Sequence, residues 1–138
     1  MASIIYNSAL DDAVKGNIDF DSDSFKVILV TSSYSPDKDA HTKRSDVTNE
    51  AVGLGYTTGG ESTSVTVTKD TANDRIDIDF SDVSWANSTL TAAGAVIYKT
   101  TGTASTDNLV AYLDFAGDVT STNGTFTVDI TSPLRLQN

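Results

Sequence analysis

The sequence predicts an all-β protein, an antiparallel β-sandwich of the jelly-roll type with one short N-terminal helix. Short apolar segments recur along the chain, and turn-forming Gly, Asn, Asp, Ser and Thr residues separate them. Two segments alternate strictly between apolar and polar residues, and only one stretch has helical spacing. With 138 residues, 38% of them hydrophobic, the chain can bury one real core. We therefore expect residues 1–138 to form a single β-sandwich domain.

The helix is expected at about residues 7–16. Apolar side chains recur there at spacings of three and four residues, at Ala9, Leu10, Ala13 and Val14. Ser8 is a candidate N-cap, and Gly16 is a candidate C-terminal stop. Because the rest of the chain reads as strands, the helix is expected at the periphery of the fold.

The strands follow in order from Phe25. The run FKVILVT is apolar on both faces and rich in β-branched residues, which predicts a central strand buried between two layers. The segment SVTVTKDTANDRIDIDF predicts a hairpin, because two alternating runs flank turn-forming residues. Further strands are expected at residues 83–85, 95–99, 109–115 and 124–130, with Asn123-Gly124 as a turn before the last. About seven strands result.

About thirty residues, from roughly 32 to 63, separate the first strand from the hairpin. A connection of this length inside a compact domain is usually functional or contains short elements of its own. Its aromatic and basic residues suit a protein interface, although ordinary loop packing is the alternative. The candidate interface residues are Tyr34, Lys43, Arg44 and Tyr56. The glycines between Gly53 and Gly60 are expected to shape turns rather than to bind phosphates, since no P-loop lysine follows.

The charge balance narrows the partner classes. Nineteen acidic residues stand against nine basic ones, a net charge of −10. Nucleic-acid binders and proteins that dock on anionic lipid need basic patches, so neither partner is expected. The N-terminus lacks the basic start and apolar segment of a secretory signal, which predicts synthesis in the cytoplasm.

No catalytic, cofactor or metal site is expected from the residue types. Cysteine is absent, and His41 is the only histidine, which we interpret as an exposed loop residue. Asp77 and Asp79 alternate with apolar residues and are interpreted as the wet face of a strand. Trp85 is expected in the core.

The stretch IDFDSDSF places Asp19, Asp21 and Asp23 at alternate positions. A calcium EF-hand loop needs glycine at its sixth position and glutamate at its twelfth, where this chain has Ser24 and Val30. The EF-hand reading therefore fails. A solvated acidic turn is the favoured interpretation, and a calcium site of another type is the alternative.

Several segments taken together resemble a family of small tailed-bacteriophage structural proteins. They are KRSDVTNE, GYTTGG, TKDTAND, AVIYK, LVAYLDF, STNGTFTV and the ending PLRLQN. The nearest described relatives look like capsid cement, or decoration, proteins with jelly-roll folds. The resemblance implies a non-enzymatic virion protein on the outside of the phage head. Its partners would be the major capsid protein and further copies of itself, as a dimer or trimer.

Two alternative functions remain open from the sequence. One is another virion component, such as a neck, tail or fibre protein. The other is a carbohydrate-binding β-sandwich domain, for which exposed Tyr34 and Tyr56, together with the aspartates, would supply the contacts.

Overall fold

The computed structural model describes residues 2–131 and 134–138. In chain order its elements are β1 (Ile4–Ile5), α1 (Asn7–Lys15), β2 (Phe25–Val30), a 3₁₀ helix (Arg44–Asp46), β3 (Glu61–Thr63), β4 (Val65–Asp70), β5 (Arg75–Phe80), β6 (Val83–Lys99), β7 (Leu109–Val128) and β8 (Leu134–Gln137).

The strands form two antiparallel sheets. The five-stranded sheet has the order β1-β7-β6-β2-β3, and the three-stranded sheet has the order β4-β5-β8. One large core cluster draws residues from both sheets, and Trp85 lies within it as predicted. A second, smaller cluster packs on the opposite face of the five-stranded sheet. The antiparallel β-sandwich with one short N-terminal helix is thus confirmed.

Helix α1 ends as the sequence predicts but begins differently. Gly16 adopts a left-handed conformation, φ 79°, and its N–H caps the carbonyls of Asp12 and Ala13. The prediction of Ser8 as N-cap is wrong. Tyr6 occupies that position, whereas Ser8 lies inside the first turn with a buried hydroxyl that has no hydrogen-bond partner among the described residues.

Strand β2 is interior, as predicted, and pairs with β3 on one side and β6 on the other. Phe25, Val27 and Leu29 face the large core cluster, while Ile28 and Val30 face the smaller one. This explains why the run is apolar at every position except Lys26.

The predicted hairpin is confirmed as β4 and β5, which pair from Val65 with Phe80 to Asp70 with Arg75. Asp74 closes the turn at φ 53°, a conformation that Asp tolerates better than most residues.

The last four predicted strands are wrong as separate elements. Residues 83–85 and 95–99 belong to the single strand β6, and residues 109–115 and most of 124–130 belong to β7. The predicted turn at Asn123-Gly124 is a β-bulge instead, because Asn123 has φ 46° and the register with β6 shifts beside it. A positive φ favours Asn in a bulge and in a turn alike, so the local pattern does not distinguish the two.

The long connection between β2 and β4 contains short elements of its own, which was one of the two expectations for a segment of this length. Besides the 3₁₀ helix and β3, Glu50 pairs with Val30, and Leu54 pairs with Thr89 of β6. The connection therefore lies against the five-stranded sheet along much of its length.

Candidate interaction surfaces

Arg44 anchors the long connection to the loop between β6 and β7. Its Nε donates a hydrogen bond to Oδ2 of Asp107 at 3.2 Å, and its backbone N–H donates to the Asp107 carbonyl. The other oxygen of Asp107 accepts from the backbone N–H and the hydroxyl of Thr101. The Arg44 guanidinium also lies 5.4 Å from the centre of the Tyr98 ring, within cation–π range. The buried Asp107 charge is thereby compensated on both oxygens.

Glu50 organises the next part of the connection. Its Oε2 accepts hydrogen bonds from the Tyr56 hydroxyl at 2.6 Å and from the Gly59 N–H at 2.8 Å. The Tyr56 hydroxyl in turn accepts from the Leu29 N–H, so Tyr56 links the connection to β2. Burial raises the pKa of Tyr56 above its ordinary value, and the hydrogen bond to Glu50 contributes a smaller increase. Tyr56 therefore acts as a neutral structural crosslink.

The four candidate interface residues pack within the chain, which favours the alternative of ordinary loop packing. Tyr34 is buried, and Lys43, Arg44 and Tyr56 are all half-buried and held by contacts within the chain. The sequence shows that these residues lie outside the predicted strands, but only the tertiary structure brings Asp107, Tyr98 and Trp85 against them. That these four residues contribute to an interface stays a prediction. Their burial within the chain does not favour it.

Tyr34 belongs to a buried hydrogen-bonded chain with Tyr6 and His41. The Tyr6 and Tyr34 hydroxyl oxygens lie 2.8 Å apart, and the Tyr34 hydroxyl lies 2.9 Å from Nδ1 of His41. The same nitrogen accepts the Asp37 backbone N–H at 3.2 Å, and the imidazole stacks on the Tyr34 ring. The prediction of an exposed loop histidine is wrong, because this chain of contacts holds His41 half-buried against the N-terminal segment.

The acidic stretch forms a turn in which the carboxylates of Asp19 and Asp23 make contacts within the chain, while Asp21 is exposed. Asp19 accepts the Asp21 N–H, and Asp23 accepts the Asp19 N–H and pairs with Lys99 at 3.1 Å. Hydrogen bonds, the largest from the Ser22 side chain, lower the pKa of Asp19. Among residues 2–131 and 134–138, no group of three or more His, Asp or Glu side chains is arranged to hold a metal ion.

Asp77 and Asp79 lie on the outward face of the three-stranded sheet, where Asp79 is exposed and Asp77 is half-buried. Asp77 lies between Arg75 and Arg135, and Oδ1 is 3.1 Å from the Nε of each. The prediction that both residues lie on the solvent-facing side of a strand is therefore correct for Asp79. For Asp77 it is incomplete, because this carboxylate is held between two arginines. Arg135 comes from β8, the end of the chain, and no spacing in the sequence indicates this pairing.

Sequence reasoning missed the segment 51–56, AVGLGY, which is the most unusual exposed part of the long connection. The side chains of Val52 and Leu54 are 91% and 66% exposed, whereas Ala51 is buried. Gly53 and Gly55 face β6. A Cβ added at Gly53 would lie 2.4 Å from the Thr89 carbonyl oxygen, and one added at Gly55 would lie 2.9 Å from the Asn87 carbonyl oxygen. The glycines thus bring the segment close to the sheet while the aliphatic side chains point to solvent.

The segment 51–56 is held firmly at both ends. The Ala51 N–H donates to the Leu29 carbonyl at 2.8 Å, and the Thr89 N–H donates to the Leu54 carbonyl at 3.0 Å. The Tyr56 ring packs against Trp85 with centroids 5.6 Å apart. Alternation of aliphatic residues with glycine was the signal in the sequence, although it does not show by itself which set faces outward.

The three-stranded sheet carries a second exposed apolar surface. In its inward row the register places Val67 beside Ile78 and Leu134, and Lys69 beside Ile76 and Leu136. Ile78 and Leu134 are buried, but Val67 and Leu136 are 38% and 51% exposed. Ile76 is half-buried and packs against the large core cluster. We call Val67 and Leu136 the open sheet face.

No protein-family model, no curated protein and no solved structure matches this chain. The resemblance to phage structural proteins therefore stays a prediction. None of the helices in the described part of the chain is both long and apolar enough to cross a membrane.

Proposed function

We propose that this protein is a structural component of a tailed-bacteriophage virion. In this proposal it acts as a capsid cement protein that binds the outer surface of the head between major capsid subunits. The observation that carries the proposal is the segment 51–56, which presents Val52 and Leu54 to solvent from a loop that is hydrogen-bonded to β2 and β6. A loop built in this way supports recognition of another protein surface.

The surroundings of Val52 and Leu54 support a protein partner. The neighbouring exposed residues Thr48, Asn49 and Asn87 are polar but uncharged. Glu50, the nearest acidic residue in sequence, is turned inward to Tyr56 and Gly59. An apolar centre that lacks charge, with a polar rim around it, is the usual composition of protein–protein interfaces. Burying one such aliphatic side chain is worth about 1.5–3 kcal/mol, which supplies affinity without a large interface.

The acidic surface supports a position outside the shell, because a net charge of −10 opposes contact with packaged DNA. The stabilising effect on the shell follows from preferential binding to one of its states. A site shared by neighbouring capsid subunits exists only in the assembled, expanded shell, so every bound copy stabilises that state over the others. Standard interfaces bury roughly 1,600 Å², and many copies together would help the shell to resist internal pressure.

Binding to expanded capsids that lack the protein tests the proposal. We expect stoichiometric binding in the hundreds of copies per particle. Replacing Val52 and Leu54 together by Ser is expected to weaken binding at least roughly 100-fold, because two apolar contacts are lost. Val14→Ser is the matched control, since Val14 is 88% exposed and lies on α1, and it should bind like wild type.

Three outcomes would overturn parts of the proposal. Absence of binding to heads together with binding to purified tails would assign the protein to the neck, tail or fibre class. Equal binding by the Val52/Leu54 variant and wild type would remove segment 51–56 from the interface. Binding that EDTA abolishes and calcium restores would require a metal site that the described carboxylates do not form.

The carbohydrate-binding alternative is less well supported, because its two aromatic residues make contacts within the fold. Tyr34 is buried against Tyr6 and His41, and the Tyr56 ring packs on Trp85 while its hydroxyl bonds Glu50.

A further inference from the structure

Four exposed threonines extend the surface of segment 51–56 across β6 and β7. Leu54 pairs with Thr89 of β6, and Thr91 of β6 pairs with Thr120 of β7. Directly paired residues point to the same side of a sheet, so the side chains of each pair share one side. We call this surface the threonine face, and its exposed residues are Val52, Leu54, Thr89, Thr91, Thr120 and Thr122.

The threonine face lies on the side of the sheet opposite the large core cluster. Leu90 and Ala92 alternate with the threonines of β6 and belong to that cluster. Ser121 lies between the two threonines of β7 and is buried. Because successive side chains of a strand point to opposite sides, the threonines face solvent where their neighbours face the core.

Hydrogen bonds fix the side chains of this face but leave them able to bind a partner. The hydroxyl oxygens of Thr91 and Thr120 lie 3.2 Å apart, and Oγ1 of Thr89 accepts the Asn123 N–H at 3.1 Å. A threonine hydroxyl has one proton to donate and two lone pairs to accept, so each of these bonds uses only part of its capacity. Each threonine also carries a methyl group, which makes the surface polar but uncharged.

No charged residue lies in the three segments that build this region, residues 51–60, 83–98 and 119–128. All nineteen acidic and nine basic residues of the chain therefore lie elsewhere. The charged residues nearest in sequence are Glu50 and Asp118, each two positions from the threonine face. Glu50 is turned inward to Tyr56, and exposed Asp118 lies at one end of the face.

This separation of charge decides which partner the threonine face fits. A basic partner is attracted to the acidic parts of the surface, such as exposed Asp11, Asp19 and Asp21, and gains no such attraction here. A charged group of a partner that was buried against the threonine face would lose its hydration without gaining an opposite charge. An uncharged partner surface incurs neither disadvantage.

The threonine face also supplies area that segment 51–56 lacks. A standard interface involves roughly 20–30 residues on each side. Segment 51–56 exposes only Val52, Leu54 and Gly55. The threonines continue this surface on paired strands, whose backbone is already ordered, so little conformational freedom is lost when a partner binds.

We propose that the threonine face binds an uncharged protein surface, and that this surface belongs to the capsid protein that receives Val52 and Leu54. The inference rests on the proposed function and adds the chemistry of the partner. Recognition then depends on buried methyl groups and neutral hydrogen bonds rather than on charge attraction.

Substitutions of opposite charge at one position test the inference on expanded capsids that lack the protein. Thr91→Lys and Thr91→Glu should both weaken binding roughly tenfold or more, because either charge is buried without an opposite one. Thr91→Val removes the hydroxyl but adds no charge, and it should weaken binding by about threefold at most. Wild-type affinity should change by less than about threefold between about 50 and 500 mM salt.

Thr66→Lys and Thr66→Glu are the matched controls, because Thr66 is also exposed and lies on β4 in the other sheet. Both controls should bind like wild type, and all five variants should unfold within a few degrees of it. Tighter binding by either charged Thr91 variant would indicate a partner surface of the opposite charge and overturn the inference, as would strong salt dependence. If all Thr91 variants bind like wild type, the inference fails alone and the capsid proposal stands. A wild type that does not bind expanded capsids overturns both.

Discussion

The rings of Phe115 and Phe126 lie 6.1 Å apart although both residues belong to the single strand β7. Eleven residues of straight strand would separate them by roughly 36 Å. The strand therefore bends sharply between them, and the bend coincides with positive φ values at Ala116, Gly117 and Asn123. The buried hydroxyls of Ser88 and Ser121 bond each other and neighbouring backbone groups where β6 follows the bend. The bent pair of strands β6 and β7 supplies much of the large core cluster.

Removing the Phe126 ring should be costly because it contacts both Phe115 and Trp85. We expect Phe126→Ala to lower the free energy of unfolding by about 3–5 kcal/mol. Denaturant titration measures this, and exposed Thr125→Ala on the same strand should change the value by less than about 0.5 kcal/mol. A small loss at Phe126 would mean that the bend does not depend on this contact.

Gly60 and Gly102 form a matched pair, since both have positive φ. A Cβ at Gly60 would lie 1.8 Å from the Val27 carbonyl oxygen, whereas at Gly102 no heavy atom lies within 4 Å. Gly102→Ala should cost about 1–2 kcal/mol through backbone strain alone. Gly60→Ala should cost clearly more, about 3–4 kcal/mol, because β3 must also move away from β2. Equal losses in thermal unfolding would contradict this close approach.

Arg44 should stabilise the fold through Asp107. Arg44→Met leaves the buried Asp107 carboxylate without its cation and is expected to cost about 2–4 kcal/mol. Adding Asp107→Asn should recover part of the loss, since the remaining buried group is then neutral. A double-mutant cycle with denaturant unfolding measures the coupling, and strictly additive losses would argue against a direct interaction.

Tyr34→Phe should destabilise the contact between the long connection and the N-terminal segment. The buried Tyr6 hydroxyl and His41 Nδ1 each lose a partner, at a cost of about 1–3 kcal/mol. Tyr112→Phe is the control, because it removes a different hydroxyl from a ring that lies against Tyr34. Comparable losses for the two variants would assign the effect to packing rather than to the hydrogen-bonded chain.

Acid should weaken the long connection through Asp46. The backbone N–H groups of Thr42 and Lys43 lower the pKa of the Asp46 carboxyl. A folded pKa below the unfolded value means that the stabilisation is complete above about pH 4 and is lost as the pH falls through the folded value. Thermal unfolding at several pH values should show Asp46→Asn less stable than wild type at pH 7, with a smaller decline below about pH 4. Parallel declines in the two proteins would contradict the role of Asp46.

The sequence by itself determined the class of the fold and several of its elements. Alternation in residues 65–80 specifies the hairpin because side chains of a strand alternate between faces, and the doubly apolar run from Phe25 specifies an interior strand. Gly16 ends the helix through its left-handed conformation. These are local properties of the backbone and of hydrophobic spacing.

Only the tertiary structure decided how β6 and β7 continue through their bulges and which side chains remain exposed. Asn123-Gly124 satisfies a bulge as well as a turn, so pairing with β6 makes the choice. Tyr34 and Tyr56 lie in a connection that looks exposed, but Tyr6, Glu50 and Trp85 bury them. Val52 and Leu54 look like core residues and face solvent, because Gly53 and Gly55 take the inner side against β6. Burial depends on residues distant in sequence, which local spacing does not encode.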